Sequence, residues 1–210
     1  MKGLLRDLAD IGAILEDDHF VYTSGRHGQA YVDKDRIYTH PLLANQVTLE
    51  MASHFLQDGI EAVVGPEKGG IILSQLVAHH LSNDQTGHEA LAFYAEKEDG
   101  GFVLKRGGAA ERISGLRVLV VEDNLTTGGS VKKVVDLVRT LGGNVIGVCA
   151  IVNRGDVKAD DIGNPPKFVA LVKVSMESWA ANECPLCAQG TPVRTDLGKE
   201  KEFLLGKGGP

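Results

Sequence analysis

Aromatic residues make up only 5% of this 210-residue chain, with a single tryptophan, and cysteine occurs just three times. So few cysteines exclude a disulfide-stapled scaffold and suit a reducing compartment. No apolar run approaches the length of a membrane span, and Met1 to Asp10 lacks the apolar core of a secretory signal. Cytoplasm is therefore the expected location, without a membrane partner. The 22 Lys and Arg are outnumbered by 28 Asp and Glu, and a net charge of -6 offers no general attraction to nucleic acid. Also missing are the G-x-G-x-x-G dinucleotide fingerprint, the G-x-x-x-x-G-K-Ser/Thr phosphate loop and the H-E-x-x-H zinc pattern. The seven histidines show no ligand spacing and are expected at the surface or in packing.

What is present is an ordinary globular composition, 43% hydrophobic and 24% charged, with 26 glycines that cluster where strands should end. The length suits one substantial core. Leu4, Leu5, Leu8, Ile11 and Leu15 recur at helical spacing, which predicts an opening helix that ends near Asp17 and Asp18. In HFVYTSGRHGQAYVDKD, alternation predicts strands around a Ser-Gly turn, and a helix should follow from Pro41 to Asp58. Strand and helix then alternate through EAVVGP, IILSQLVAHHL, EALAFYAEK, LRVLVVED, Val131 to Leu141, NVIGVCAIVN and KFVALVKV. That order predicts an α/β fold with a mainly parallel central sheet flanked by helices. Between Tyr94 and Gly115 lies a stretch too polar and glycine-rich to be core, which alone reads as a solvated loop.

The chemistry concentrates in VLVVEDNLTTGGS, Val118 to Ser130. Its aliphatic run reads as a strand buried on both faces, so Glu122 and Asp123 sit at the carboxyl end of a strand, just before a helix. In open α/β sheets ligands bind at that edge. Thr126, Thr127, Gly128, Gly129 and Ser130 form a turn whose glycines admit close approach and whose amides face an anion. A phosphate beside two carboxylates is repelled unless the acids serve hydroxyls or a metal, and a ribose 5-phosphate satisfies both halves. The plain alternative is a strand-to-helix turn with acids near a helix N-terminus. A second glycine-rich strand end, GPEKGG from Gly65 to Gly70, falls on the same edge, which suits a ligand with two phosphate groups or a simple tight turn.

The aliphatic run, the acid pair and Thr-Thr-Gly-Gly-Ser resemble the phosphoribosyl pyrophosphate (PRPP) motif of type I phosphoribosyltransferases, and the resemblance extends over nearly the whole chain, nearest to the orotate enzymes. It implies a single domain with a core of about 41–174, a small hood built from about 1–40 and 175–210, and a homodimer with shared active sites. It implies a pentosyltransferase that makes orotidine 5'-monophosphate and pyrophosphate from PRPP and orotate, in pyrimidine biosynthesis, with magnesium carried mainly by the substrate and no protein metal ligands. PRPP would be held by Lys68, Gly69, Glu122, Asp123, Asn124, Leu125, Thr126, Thr127, Gly128, Gly129 and Ser130. Asn124 stands where an aliphatic residue is usual, in what is expected to be a loop. The GPEKGG segment would be a pyrophosphate loop, with a cis peptide expected between Glu67 and Lys68.

The polar stretch before the motif resembles a mobile catalytic loop, with Lys97 and Lys105 as catalytic cations beside Arg106, and Asp123 as the third catalytic group. Thr126 and Arg154 would meet the base, Arg154 gripping the orotate carboxylate. Thr23 stands where many members carry lysine, so a purine or another base stays open, as does a PRPP-sensing regulator. Cys149 lies in an aliphatic strand and reads as a buried thiol. Cys184 and Cys187 form a CPLC pair with the spacing of half a zinc site, but no second CxxC or CxxH pair is present, so a reduced structural pair is the expectation and metal binding the alternative.

Overall fold

Residues 117–125 read RVLVVEDNL, and in the computed structural model, which describes residues 2–22, 25–83, 85–174 and 176–195, they form a strand buried along most of its length. Thr23 and Ser24 lie outside the described residues, as do residues 196–210 of the expected hood. In chain order the helices are α1 Lys2–Asp10, α2 Asp35–Thr39, α3 Pro41–Ser53, α4 Gly69–Leu81, α5 Ala109–Arg112, α6 Gly129–Thr140 and α7 Pro185–Ala188. The strands are β1 Ile14–Leu15, β2 Phe20–Val21, β3 His27–Gly28, β4 Tyr31–Val32, β5 Ala62–Pro66, β6 Leu91–Glu98, β7 Gly101–Val103, β8 Arg117–Leu125, β9 Asn144–Asn153, β10 Phe168–Lys173 and β11 Ser178–Trp179.

The chain divides into two compact units, residues 1–4 with 38–174, and residues 5–37 with 175–210. In the first, six strands run in the order β10, β9, β8, β5, β6, β7. All pairings are parallel except β6 with β7. The α/β architecture with a mainly parallel sheet is thus as expected. Alternating side chains feed two cores. Val118, Val120, Ala62 and Val64 pack with Val131, Val134, Val135 and Val138 of α6. Leu119 and Val121 are equally buried on the other face, which α3 and α4 cover. There a Cβ on Gly147, the β9 partner of Leu119, would fall 2.6 Å from the Phe55 ring. Each fully buried Val or Leu contributes roughly 1.5 to 3 kcal/mol, so β8 is the element both cores share.

The second unit contains β1 paired with β4, and a three-stranded antiparallel sheet in the order β11, β3, β2. Its hairpin turns at Gly25, whose φ is +77°. No helix among the described residues is long and apolar enough to cross a membrane.

Three boundaries differ from the sequence expectation. The opening helix stops at Asp10, because Gly12 takes a φ of +69° and turns the chain, and Leu15 pairs in β1 instead. The helix from Pro41 ends at Ser53, and hydrogen-bonded turns carry the chain to Gly59. The polar stretch before β8 is no simple loop: β6 and β7 form a hairpin, and Leu104, Ala109 and Ile113 after it enter the core. Local glycine content concealed three apolar residues whose burial depends on α6 and the sheet.

Cys149 is fully buried in β9, and desolvation pushes its thiol pKa well above the ordinary value. In the folded protein Cys149 should resist a thiol reagent at mildly alkaline pH and react at least ~100-fold faster once unfolded, as read by peptide mass spectrometry.

Candidate active site

Strand β8 runs past the acids to Leu125, so Glu122 and Asp123 are the third and fourth residues from its end rather than its last ones. Alternation sends them to opposite faces. Glu122, with Asn124 and the run from Leu125 to Val131, lines a concavity of about 120 Å³ at the start of α6. The Glu122 carboxylate accepts the backbone N–H of Asp123 at 3.0 Å. Asp123 is 2% exposed and turns the other way, where the Tyr38 hydroxyl donates to its Oδ2 at 3.2 Å.

The turn Thr126 to Gly128 carries the chain into α6, with Gly128 at a φ of +76°. A side chain there would be strained, and its Cβ would lie 2.7 Å from Ile162 Cγ2. The first amides of α6 have no partner earlier in the helix and open toward the concavity, the arrangement an anion needs. Asn124 belongs to β8, paired with Val152, and not to a loop as expected. Its side-chain oxygen is buried without a hydrogen-bond partner among the described residues, so it can take a ligand's donor.

The GPEKGG segment closes β5 and opens α4 on the same sheet edge. Its Glu67–Lys68 peptide bond is cis, at the place expected. Gly65 and Gly70 approach backbone to backbone: a Cβ on Gly65 would lie 2.6 Å from Gly70 Cα. Gly69 sits against the acid, since a Cβ there would fall 1.8 Å from Asp123 Oδ2. Lys68 is exposed beside it, at the N-cap of α4. Glu67 ties this segment to β6 twice, its N–H donating to Ala95 O at 2.9 Å and its Oε1 accepting the Lys97 N–H at 2.9 Å.

A third loop follows β9. Arg154 is half-buried, its Nε donates to Thr126 Oγ1 at 2.9 Å, and its N–H donates to Leu125 O at 3.0 Å. A Cβ on Gly155 would fall 1.6 Å from Thr126 O, so the two loops touch through bare backbone. Asn153 shapes this loop from within: its Oδ1 accepts the N–H groups of Gly155 and Val157, and its Nδ2 donates to Val157 O.

The three cations of the hairpin region are not equivalent. Lys105 lies 2.5 Å from Glu98 Oε1 and Arg106 3.0 Å from Glu96 Oε1. The hydrogen bond to Glu98, then its charge, raises the pKa of the exposed Lys105, and the hydrogen bond to Glu96, then the charge interaction with Tyr94, raises that of Arg106. Lys97 forms no side-chain ion pair among the described residues. The hairpin turn is held to α6 by Lys133 Nζ, which donates to Gly100 O at 2.6 Å.

Most of the expected site residues therefore gather on one sheet edge, Glu122 to Ser130 around the concavity, Gly69 on Asp123 with Lys68 next to it in the chain, and Arg154 on Thr126. Tyr38, Glu67 and Asn153 were missed. Asn153 carried a faint local signal, an asparagine at a strand end before glycine. Tyr38 and Glu67 carried none, since their partners lie 85 and 30 residues away.

A family profile described as the phosphoribosyl transferase domain matches residues 33–185. The chain is 43% identical to the orotate phosphoribosyltransferase of Caldanaerobacter subterraneus subsp. tengcongensis over 86% of this chain and 88% of that one. Among solved structures, an orotate phosphoribosyltransferase from Aeropyrum pernix matches with a TM-score of 0.64 at 24% identity, covering 81% of this chain and 93% of the other. An adenine phosphoribosyltransferase from Thermoanaerobacter pseudethanolicus matches with a TM-score of 0.62 at 16% identity, covering 81% and 99%. At those identities the two structures speak for the fold alone. Sheet, glycine-built phosphate edge and family match agree: the chain belongs to the type I phosphoribosyltransferase family.

Proposed function

We propose that this protein transfers the 5-phosphoribosyl group of PRPP to orotate, giving orotidine 5'-monophosphate and pyrophosphate, a step of UMP biosynthesis. The observation that carries this is the joining of an anion turn and a guanidinium on one edge, Arg154 bonded to Thr126 beside the concavity of Glu122 to Val131. The 43% identity to an orotate enzyme supports the choice of base.

The backbone amides of Thr127 to Ser130 hold the 5-phosphate, and Glu122 and Asp123 orient the ribose hydroxyls. Lys68 and the Gly69 backbone take the pyrophosphate. As the bond from the anomeric carbon to pyrophosphate breaks, charge grows on the leaving group, and Lys97, with Lys105 behind it, stabilises that charge. Closure of the β6–β7 hairpin excludes water, which competes with the base as nucleophile. Arg154 grips the orotate carboxylate in a fork and Thr126 meets the pyrimidine edge.

Glu122 faces the concavity with one oxygen already engaged by a backbone amide, so the protein fits a magnesium ion that PRPP itself carries rather than a carboxylate cage. Magnesium supplies charge neutralisation on the phosphates. Leu42 is 88% exposed, and with Leu49, Leu56, Ile71 and Ile72 it forms an apolar surface on and beside α3 and α4 that supports a homodimer with shared sites. The protein works in the cytoplasm without nucleic acid or membrane partners.

A magnesium-dependent assay with PRPP that follows orotate absorbance and pyrophosphate release tests the reaction. Orotate consumption is expected. Release with a purine alone would move the protein to base salvage, and no release with any base would make it a PRPP sensor.

Asp123→Asn should lower kcat/KM by roughly 10²-fold, as loss of a preorganised charge does, while shifting unfolding free energy by less than about 1 kcal/mol. Steady-state kinetics and urea unfolding check both. Arg154→Lys should raise the KM for orotate by roughly 10- to 100-fold, the cost of a charge-assisted fork, and leave the KM for PRPP near its original value. Gly69→Ala should displace the Asp123 carboxylate and reproduce the turnover loss of Asp123→Asn, because its Cβ would overlap Oδ2.

A further inference from the structure

The histidines without ligand spacing and the CPLC pair come together within the second unit. His19 precedes β2 and His27 lies in β3, and the register pairs Phe20 with Gly28 and Val21 with His27. Extending that register sets His19 opposite Gln29, so His19 and His27 are diagonal neighbours on one sheet face. Cys184 is the N-cap residue of α7, and Cys187 stands within its single turn, where Pro185 opens the helix. One ligand atom from each of the four residues lies within 4.8 Å of all the others.

The distances have the size of a tetrahedron. His19 Nε2 is 2.9 Å from His27 Nδ1, 3.6 Å from Cys184 Sγ and 3.8 Å from Cys187 Sγ, and Cys187 Sγ is 3.4 Å from His27 Nδ1. A zinc ion with bonds of about 2.0–2.1 Å to nitrogen and 2.3 Å to sulfur has ligand-to-ligand edges of roughly 3.3 to 3.8 Å. Three of the four distances match directly, and the histidine pair needs only a few tenths of an ångström of opening.

The protonation pattern also points inward. His19 Nδ1 lies 2.8 Å from the carbonyl of Thr191, which can only accept, so Nδ1 carries the proton and Nε2 turns its lone pair to the centre. The histidines are fully buried and Cys184 is 3% exposed. All three cysteines are free thiols. Two thiolates and two neutral imidazoles cancel the charge of a divalent zinc ion, so nothing charged is buried without compensation.

We propose that His19, His27, Cys184 and Cys187 bind one zinc ion in a structural site that staples the C-terminal segment to the β2–β3 hairpin. Four protein ligands leave no open position, which makes the site structural and not catalytic. Binding releases the two thiol protons to solvent. The ion closes a loop of the chain across a separation of 165 residues, and it acts beside weaker ties of the same segment: Arg194 N–H to His19 O, and Arg194 to Asp18. A unit built on two-residue strand pairings gains a rigid centre from it.

The full-length protein, purified reduced from zinc-containing medium and desalted, should hold about one zinc per chain by elemental mass spectrometry. Cys187→Ser and His27→Ala should each reduce this at least ~10-fold, and Cys149→Ala should leave it unchanged. Because a ligand variant could misfold, metal-free wild-type protein is also titrated with cobalt(II). Intense visible bands of a tetrahedral ion with thiolate charge transfer, displaced by zinc, are expected. Less than about a tenth of an equivalent of zinc together with a weak octahedral cobalt spectrum, or a native Cys184–Cys187 disulfide, would overturn the site. Neither readout involves turnover, so the result stands apart from the assignment of the reaction.

Discussion

Backbone packed too closely for any side chain at its glycines is the constraint on which this edge of the sheet depends. Gly65 meets Gly70, Gly155 meets the carbonyl of Thr126, and Gly69 meets the Asp123 carboxylate, each where a Cβ would fall within 1.6 to 2.6 Å of another atom. These approaches bring the loops after β5, β8 and β9 onto one another. Any side chain at these positions would part the loops and separate the groups a phosphorylated sugar must meet together.

The strands make such closeness affordable. β8 is buried on both faces and shares both cores, and Tyr38 and a backbone amide are among the groups that hold the acids it carries. Charge is partitioned by strand alternation: Glu122 turns to the concavity at the start of α6 and Asp123 to the GPEKGG segment. One pair of neighbouring residues thereby serves two loops. In the hairpin region ion pairing engages Lys105 and Arg106 with the glutamates of β6.

The second unit solves a different problem. Its strands are two residues long, so few ladder hydrogen bonds hold its pieces together. Four ligand side chains converging on one ion supply what a small core lacks.

Much of this was legible beforehand. The β8 to α6 passage declared itself because a double-sided aliphatic run, two acids and a glycine turn are all local, and each has a physical meaning within a dozen residues. The cis peptide at Glu67–Lys68 came by family resemblance. The hairpin before β8 was misjudged because Leu104, Ala109 and Ile113 are spaced too irregularly to signal burial. The zinc ligands were half visible, since CPLC has a ligand spacing while two histidines eight residues apart have none until a hairpin sets them diagonally. By itself the sequence determined the α/β class, the order of the sheet-forming segments and the phosphate turn, because periodicity and turn chemistry act over short range. Only the tertiary structure decided that Tyr38 meets Asp123, that Arg154 meets Thr126 and that His19 meets Cys184, because those partners are joined by sheet order and packing across 28 to 165 residues, which no local pattern encodes.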